Sequence, residues 1–563
     1  MTARARCLAL LAGLALLLAP AASRAGFVIV NLDGAGEGFN DPTPVAPVGG
    51  NPGLTVGQQR LNVFVKAGQI WDAILGSPVT IRVQASFDPL PCTPTSGVLG
   101  GAGPNVVDSD FPNAPFALTW YNAAQANRLA GFDLDAADDD IGAQFQSNIG
   151  TAGCLTTRSW YYGFDGNEGA NGLDLLAVLL HEFGHGLGFM TLTDESNGNF
   201  FSGQPSIWDR FLMDNVSLKH WKDMTPAERV TSAINTGHLV WGETSVNAAA
   251  PGVLGKRARV QTTGAITGDF TSGQGVFYQP LTVAGVTGQV VLVNDGVGTI
   301  TDGCNTPFVN AAAVAGKIAL MDRSATCAAA NQAANAQANG AIGVILINNV
   351  AGPEPPLRGA APTCTIPVTA ISLTDGNAIK VALGSGTVNA KLSLDPTKLA
   401  GVDYAGRVRM FDPNPDQPGS SVSHFDVSAF PNLLMEPAIN PDLSQNVDLT
   451  RANFVDIGWF PSERTGVGDM GTAGLSFVQG PNPSTDGGTL RFRLPQSQRV
   501  ELSLFDLAGR RVVRIADGVM DAGDHAVRWS RLDDRGHKVA AGIYRARLKT
   551  GGQEQTLSVV LVD

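Results

Sequence analysis

The segment 181–185 reads HEFGH, with two histidines four residues apart and a glutamate directly after the first. On a helix, residues four apart lie on one face, so the imidazoles of His181 and His185 can reach one metal ion. Zinc suits such a pair, because it takes nitrogen ligands tetrahedrally and keeps one position open for water or substrate. Zinc lowers the pKa of a bound water to about 7, and Glu182 lies beside it as a base. The segment therefore predicts a hydrolytic zinc site.

Two buried structural histidines are the alternative interpretation of this segment. The chain has 7 histidines in 563 residues, so the motif seldom arises by chance. The stretch from Leu173 to Phe189 is apolar on nearly every side, which predicts a buried helix that starts near 171–172 and stops at Gly188. Two imidazoles and a carboxylate buried there are costly unless they are paired or bind a metal. Metal binding is the favoured hypothesis.

A catalytic zinc needs a third protein ligand, and the candidates lie far along the chain. Three short segments follow in order, namely SHF at 423–425, LLMEP at 433–437 and DIGW at 456–459. Together with HEFGHGLGF at 181–189, this order resembles the leishmanolysin-type metzincins, a family of zinc peptidases. In that family an insertion separates HExxHxxGF from the later segments. The resemblance covers about 250 residues of the chain in two parts.

The resemblance implies His424 as the third zinc ligand and Met435 as the methionine of the turn beneath the metal. The compact metzincin form has its third histidine at the position of Thr191, which is a poor zinc ligand, so that form is excluded. A long insertion between His185 and His424 is thermodynamically tolerable, because the entropic cost of loop closure grows only logarithmically with length.

Each supporting residue also has a simpler interpretation. His424 could be a histidine of a surface loop, and Met435 an ordinary core residue. Asp209 and the pair Asp194 and Glu195 remain alternative ligands, because carboxylates also bind zinc.

An acidic cluster at 133–140 contains Asp133, Asp135 and three consecutive aspartates from Asp138 to Asp140. Calcium prefers several oxygen ligands on a flexible loop, so Ca²⁺ is a possible second cofactor. The spacing lacks the glycine and the closing glutamate of an EF-hand, and a solvated acidic loop is the alternative.

Charge and targeting signals restrict the class of protein. The formal net charge of −12 argues against nucleic acid as a partner, because phosphate binding needs a basic surface. Residues 1–25 have arginines at 4 and 6, an apolar stretch over 7–18 and small residues before position 26, which is typical of a secretory signal. No second apolar stretch is long enough to span a bilayer. We expect a secreted or cell-surface protein without a membrane span.

Export permits disulfides, and five cysteines follow the signal segment. Proximity in sequence favours the pairs Cys92–Cys154 and Cys304–Cys327 and leaves Cys364 over. Connectivity cannot be deduced from the sequence alone.

The middle of the chain, about 251–400, consists of short segments rich in valine, alanine and glycine. GKIALMDR at 316–323, an alanine-rich helix over 326–339 and GAIGVILINN at 340–349 predict a strand, a helix and a strand. With IPVTAISLTDGNAI at 366–379, these segments resemble a protease-associated (PA) domain. The resemblance implies a domain near the catalytic cleft that influences the choice of protein substrate.

The last part of the chain predicts strands at short, regular spacing, as in β-sandwiches. The stretch 490–515, LRFRLPQSQRVELSLFDLAGRRVVRI, resembles the FlgD-like immunoglobulin-type domains at the C-termini of exported bacterial proteins.

These observations lead to one prediction for the whole chain. The fold class is α+β multidomain, with a metzincin-like catalytic domain split by an inserted α/β PA-like domain and followed by an all-β sandwich. The expected function is that of a zinc metalloendopeptidase that hydrolyses proteins with a zinc-activated water and Glu182 as general base. The alternative is an exported binding or adhesion protein that keeps the fold without the activity. The expected boundaries are 1–25 for the signal, 26–250 and 401–461 for the two catalytic parts, 251–400 for the PA-like insertion, 462–471 for a linker and 472–563 for the sandwich.

Overall fold

The structure is a computed structural model. It describes residues 26–563 with the exception of 275–278, 356, 358–363, 439–442, 444, 461–475, 481–486, 495–496, 507–508, 522, 551–552 and 563. The predicted signal segment 1–25 and the predicted linker 462–471 lie outside the described residues.

Residues 26–254 contain strands and helices in mixed order. In chain order these elements are β1 (Phe27–Asn31), α1 (Val56–Leu75), β2 (Ile81–Asp88), β3 (Gly100–Pro104), β4 (Val107–Asp108), β5 (Tyr121–Asn122), α2 (Ala123–Ala130), β6 (Ile141–Gln146), β7 (Ser159–Tyr161), β8 (Gly172–Asp174), α3 (Leu175–Gly186), β9 (Leu212–Asp214), α4 (Pro226–Ala233), β10 (Leu239–Trp241) and α5 (Thr244–Val253).

The main sheet of this part has the order β1-β2-β6-β3. β1, β2 and β6 are parallel, and β3 pairs antiparallel with β6 at the edge. In β2, the alternating residues Ile81, Val83 and Ala85 are buried, because successive side chains of a strand point to opposite faces. Helices α1 and α3 pack together, and the indole of Trp71 donates a hydrogen bond to Leu180 O at 3.2 Å.

The middle of the chain forms a second, seven-stranded sheet. Its elements are β11 (Lys256–Gly264), β12 (Gly268–Ser272), β13 (Val286–Leu292), α6 (Ala311–Val314), β14 (Ile318–Asp322), α7 (Ala329–Ala338), β15 (Gly343–Ile347), β16 (Val368–Ile371), α8 (Leu373–Leu383) and β17 (Val388–Leu399). The sheet order is β12-β11-β17-β13-β14-β15-β16, and β13 to β16 are parallel. The strand, helix and strand predicted over 316–349 are present as β14, α7 and β15.

The chain enters and leaves this second sheet at neighbouring points. Ala400 N donates to Gly255 O at 2.9 Å, and β11 and β17 pair antiparallel. Downstream, residues 401–460 include α9 (Asp448–Ile457) and return to the first part of the chain. Buried residues such as Met410, Phe425 and Leu449 belong to the same hydrophobic core as α1 and α3. Residues that precede the second sheet in the chain and residues that follow it therefore share one core.

The C-terminal part consists of β-strands. They are β18 (Ser476–Gly480), β19 (Gly488–Leu494), β20 (Gln498–Phe505), β21 (Arg511–Met520), β22 (Gly523–Trp529), β23 (Gly542–Thr550) and β24 (Gln553–Leu561). They form two antiparallel sheets of order β18-β19-β22 and β21-β20-β23-β24. Both sheets contribute to one apolar core that includes Phe492, Leu502 and Leu548, as expected for a sandwich.

Both expected disulfides are present, Cys92–Cys154 in the first part and Cys304–Cys327 in the second sheet's domain. Cys364 is free and buried. Disulfides are typical of proteins of oxidising compartments. Within the described residues, no helix combines the length and the apolar character that crossing a membrane requires.

Candidate metal centre

Helix α3 holds the HEFGH segment in the interior of the first part. It begins at Leu175, after Asp174, whose carboxylate accepts a hydrogen bond from Leu176 N at 2.9 Å. The expected start near 171–172 lies three to four residues earlier, where Gly172–Asp174 form strand β8 instead. Every residue of α3 is buried. The chain turns away at Gly188, whose φ of +119° lies in the region that favours glycine. Helix α3 itself ends at Gly186, two residues before the predicted stop.

The imidazoles of His181, His185 and His424 meet in one buried cluster. The Nε2 atoms of His181 and His185 are 3.1 Å apart, and each lies 3.2 Å from Nε2 of His424. Among the described residues, these three are the only group of His, Cys, Asp or Glu side chains with the mutual distances of a metal site. His424 comes from the segment that follows the second sheet, so the fold brings together residues 239 positions apart.

The other ring nitrogen of each histidine faces a backbone carbonyl oxygen. Nδ1 lies 2.7 Å from Leu434 O in His181, from Phe189 O in His185 and from Ser420 O in His424. A carbonyl oxygen can only accept, so Nδ1 must carry the proton in each ring. The lone pairs of the three Nε2 atoms then point at one another with no proton between them. A cation at their centre satisfies this arrangement.

Burial keeps the three rings uncharged. It lowers the pKa of His181 to about 4, and burial together with the charge of His181 lowers the pKa of His185 to about 3. Burial also lowers the pKa of His424 well below its ordinary value, with a smaller contribution from the charges of the other two histidines. Neutral imidazole is the form that binds a metal.

The donor set fits zinc. A tetrahedral zinc with Zn–N bonds of about 2.0–2.1 Å has ligand nitrogens about 3.3–3.4 Å apart. The observed separations of 3.1–3.2 Å between Nε2 atoms are close to that value. Carbonyl oxygens that hold the opposite ring nitrogen are the usual outer contacts of metal-binding histidines. Three protein ligands leave one tetrahedral position open, as in catalytic zinc sites.

Glu182 lies beside the histidine cluster and is 9% exposed. Its Oε2 accepts a hydrogen bond from Ala102 N, on edge strand β3, at 3.2 Å. Burial raises the pKa of Glu182 to about 7, and the hydrogen bond from Ala102 partly opposes this shift. A carboxyl group with a pKa near neutrality can both accept and return a proton.

Met435 is fully buried directly below α3. A Cβ atom added to Gly184 would lie 2.7 Å from Met435 Sδ, so the helix has a glycine where the methionine touches it. The neighbouring Leu434 supplies the carbonyl that holds His181, and its own N–H donates to Asp448 at 2.5 Å. The segment around Met435 thus supports His181 through the backbone.

The end of α3 is fixed by side chains from distant segments. Asn122 donates to His185 O at 3.2 Å, and the indole of Trp459 donates to Leu187 O at 2.8 Å. Asp456, in the DIGW segment, accepts hydrogen bonds from the indole of Trp241 and from the N–H groups of Ser245 and Val246, each at 3.0 Å. These contacts give Asp456 and Trp459 structural roles, since one fixes the start of α5 and the other the end of α3.

The alternative ligands have other partners. Asp209 is buried and accepts hydrogen bonds from Thr191 Oγ1 and from Ser206, and Asp194 is bonded to Ser196 and Asn197. Neither aspartate belongs to the histidine cluster.

The calcium prediction finds no support in the acidic cluster. Asp139 pairs with Arg82 at 2.6 Å, and Asp140 accepts hydrogen bonds from Arg82 N and from Asn127. Within the described residues, the aspartates of 133–140 do not form a group with metal-site distances.

Two hydrogen bonds of the site could not be predicted from the sequence. The N–H of Ala102 lies on a glycine-rich strand 80 residues before Glu182, and Ser420 O is an ordinary backbone atom. Backbone contacts of this kind depend on tertiary structure, not on residue type.

Residues 286–379 match the PA domain family, which confirms the resemblance seen in the sequence. No curated protein matches the chain significantly.

Several solved structures share a local likeness with the chain. A zinc aminopeptidase from Bacillus subtilis is 21% identical with a TM-score of 0.18, over 27% of this chain and 37% of that one. A peptidase M28 precursor from Shewanella amazonensis is 20% identical with a TM-score of 0.20, over 25% of this chain and 35% of that one. Latent PorU from Porphyromonas gingivalis is 19% identical with a TM-score of 0.14, over 16% of this chain and 9% of that one. The chain covers well under half of each structure, and likenesses this weak carry neither fold nor activity over to it.

Proposed function

We propose that the protein is a secreted zinc-dependent endopeptidase of the metzincin type, with His181, His185 and His424 as the metal ligands and Glu182 as the general base. The observation that carries this proposal is the convergence of three proton-free Nε2 atoms next to a buried carboxyl group. Structural histidines would share protons with their neighbours, whereas these three Nε2 atoms all accept, and a single cation satisfies all three at once.

The roles of the residues follow from their chemistry. Zinc held by the three histidines supplies a Lewis acid that polarises the scissile carbonyl. Glu182 takes the proton of the attacking water on its carboxylate and then donates it to the nitrogen of the leaving amine. The hydrogen bond from Ala102 N orients the carboxylate of Glu182 between the two proton transfers. Met435 supports the backbone that holds His181.

We extend the proposal to the whole architecture. Residues 26–250 and 401–461 form the catalytic domain, and the PA-like insertion at 251–400 influences access of protein substrates. The sandwich at 472–563 is FlgD-like and acts in export or surface attachment. The shared core of the two catalytic parts and the two disulfides support this arrangement.

The proposal is tested by zinc content per chain and casein hydrolysis in three variants. We expect one zinc in the wild type and in Glu182→Gln, with activity of Glu182→Gln reduced by about 10²–10⁴-fold because the base is lost. We expect His424→Ala to lose both zinc and activity. His537→Ala, which removes an imidazole whose side chain is 75% exposed, is the matched control and should keep both.

Two results would contradict the proposal. If His424→Ala keeps its zinc and its activity, the third ligand is wrong. If the wild type binds zinc but cleaves no protein, the alternative of an exported binding protein with a protease fold takes its place.

A further inference from the structure

A pocket of about 260 Å³ lies where the second sheet meets the catalytic part of the chain. Arg257 and Lys398, on β11 and β17, line it from one side, and Arg409 lines it from the other. His238 and Asn215 add polar groups, and Nδ1 of His238 lies 2.8 Å from Oδ1 of Asn215. Three positively charged side chains thus surround one cavity in a protein of net charge −12.

The acidic groups near this pocket leave part of its positive charge unbalanced. Asp403 also lines it, but its carboxylate already accepts hydrogen bonds from the guanidinium of Arg407 at 2.7 and 2.9 Å. Asp395 pairs with Arg257 at 3.2 Å. Arg409 and Lys398 have no such partner, as no hydrogen bond or ion pair joins their side chains to any described residue.

Arg409 is the most informative of the three cations, because it is partly buried. Behind it, Glu354 and Arg409 line a second, smaller cavity, without an ion pair between these two described residues. Burial raises the pKa of the Glu354 carboxyl, against the attraction of Arg409 and Arg257. A partly buried guanidinium without a bonded acid is costly unless a ligand supplies one.

We propose that this pocket binds a carboxylate group, with the guanidinium of Arg409 as its principal contact. Arginine presents a planar set of donors that matches a carboxylate bidentately. Lys398, at the rim, adds charge without a fixed geometry. Among the lining side chains, three are cationic and Asp403 is anionic, so the pocket keeps an excess of positive charge for a carboxylate. The group to which we commit is a planar carboxylate and not a tetrahedral phosphate. The group is either a free dicarboxylate or an acidic side chain of a peptide.

The proposal is independent of catalysis, and its test is direct binding. We would titrate the full-length protein with sodium succinate, with a capped Ala-Glu-Ala peptide and its Gln counterpart, and with inorganic phosphate, by calorimetry at pH 7. We expect succinate or the Glu peptide to bind the wild type, and Arg409→Gln to weaken that binding at least about tenfold, because a charged hydrogen bond is lost. Tighter succinate indicates a free diacid, and tighter Glu peptide an acidic protein segment.

Controls separate the pocket from general charge effects. Arg323→Gln removes a partly buried arginine in the PA domain and should leave binding unchanged. Arg409→Lys should retain part of the affinity, and Lys398→Gln, at an exposed position, should weaken binding even if Arg409→Gln does not fold. The proposal is overturned if no carboxylate binds, if the Gln peptide or phosphate binds as tightly, or if Lys398→Gln and a folded Arg409→Gln both bind like the wild type.

Discussion

At the scale of single residues, the central feature is the protonation of the three histidines. Each Nδ1 is committed to a carbonyl oxygen, so each Nε2 presents only a lone pair. Without a cation the three lone pairs repel one another within 3.2 Å. The cluster therefore stores an unfavourable interaction that a metal relieves.

Metal removal should for this reason destabilise the protein. At free zinc 100 times the dissociation constant, binding to the folded state alone adds about 2.7 kcal/mol to the free energy of unfolding. We expect dialysis against a chelator to lower the Tm of the wild type, and zinc to restore it. The same treatment should not move the Tm of His424→Ala. Equal Tm values with and without zinc in the wild type would argue that the cluster holds no metal.

Gly184 gives a second prediction at this scale. A methyl group there would lie 2.7 Å from Met435 Sδ and 3.1 Å from its Cε, inside the core. We expect Gly184→Ala to displace Met435 and to speed zinc loss to a chelator about tenfold, since metal sites with disturbed support typically lose 10–100-fold in affinity.

Gly252→Ala is the matched control for this prediction. Gly252 also lies in a helix, but nothing lies within 4 Å of an added Cβ, so zinc retention should be unchanged. Equal zinc loss in both variants would show that Met435 does not support the site.

At the scale of elements, much of the arrangement follows from local patterns. The all-round apolar character of 173–189 predicts a buried helix, and α3 is one, although it spans only Leu175–Gly186. In β2, Ile81, Val83 and Ala85 are buried at alternate positions, as expected of a strand with one face on the core. The approach of β3 to Glu182 follows no local pattern, because it depends on the pairing of β3 with β6. His424 could be proposed only by resemblance, since its separation of 239 positions from His185 obscures any spacing rule.

Asp456 joins two elements and provides a pH-dependent prediction. It holds the first turn of α5 and the indole of Trp241, while burial raises its pKa above the ordinary 3.8. A carboxyl with a raised folded pKa binds its proton more tightly when folded, so its contribution to stability declines as pH rises above 3.8. In Asp456→Asn, an amide NH₂ group replaces an oxygen that accepts a hydrogen bond, so a donor faces an N–H group. We expect the free energy of unfolding to fall by about 2 kcal/mol at low pH.

Because Asn does not ionise, this cost should shrink as pH rises. Urea unfolding of the wild type and Asp456→Asn at several pH values from 3.5 to 8 measures the difference, and an increase with pH would contradict the assignment. Asp223→Ala, which removes a carboxylate on an exposed side chain, is the control and should change stability by less than about 0.5 kcal/mol.

At the scale of the whole molecule, each of the first two structural parts has its own covalent link. Cys92–Cys154 closes a stretch of 62 residues in the first part, and Cys304–Cys327 closes 23 residues in the PA domain. The sandwich has its own core and, among the described residues, lacks such a link. Because the cores are separate, we expect their unfolding transitions to respond independently.

Loss of a disulfide should therefore destabilise only the part of the molecule that contains it. Loop-closure entropy gives about 4 kcal/mol for the longer link and about 3 kcal/mol for the shorter one. We expect the double variant Cys92→Ser/Cys154→Ser to lower the calorimetric transition that zinc stabilises, and Cys304→Ser/Cys327→Ser to lower a different one. Cys364→Ser removes the free thiol and should shift either transition far less. A single transition that both double variants lower equally would contradict separate cores.

The adjacency of Gly255 and Ala400 has a consequence for the timing of synthesis. His181 and His185 leave the ribosome long before His424. At about 5–20 residues per second, synthesis of the 239 positions from His185 to His424 takes roughly 10–50 s. During that interval the PA domain, whose two ends meet at Gly255 and Ala400, can fold. The nascent chain then has only two of the three imidazoles of the cluster. On the proposed function, the protein is inactive while it is being made, because its third metal ligand is translated after an entire domain.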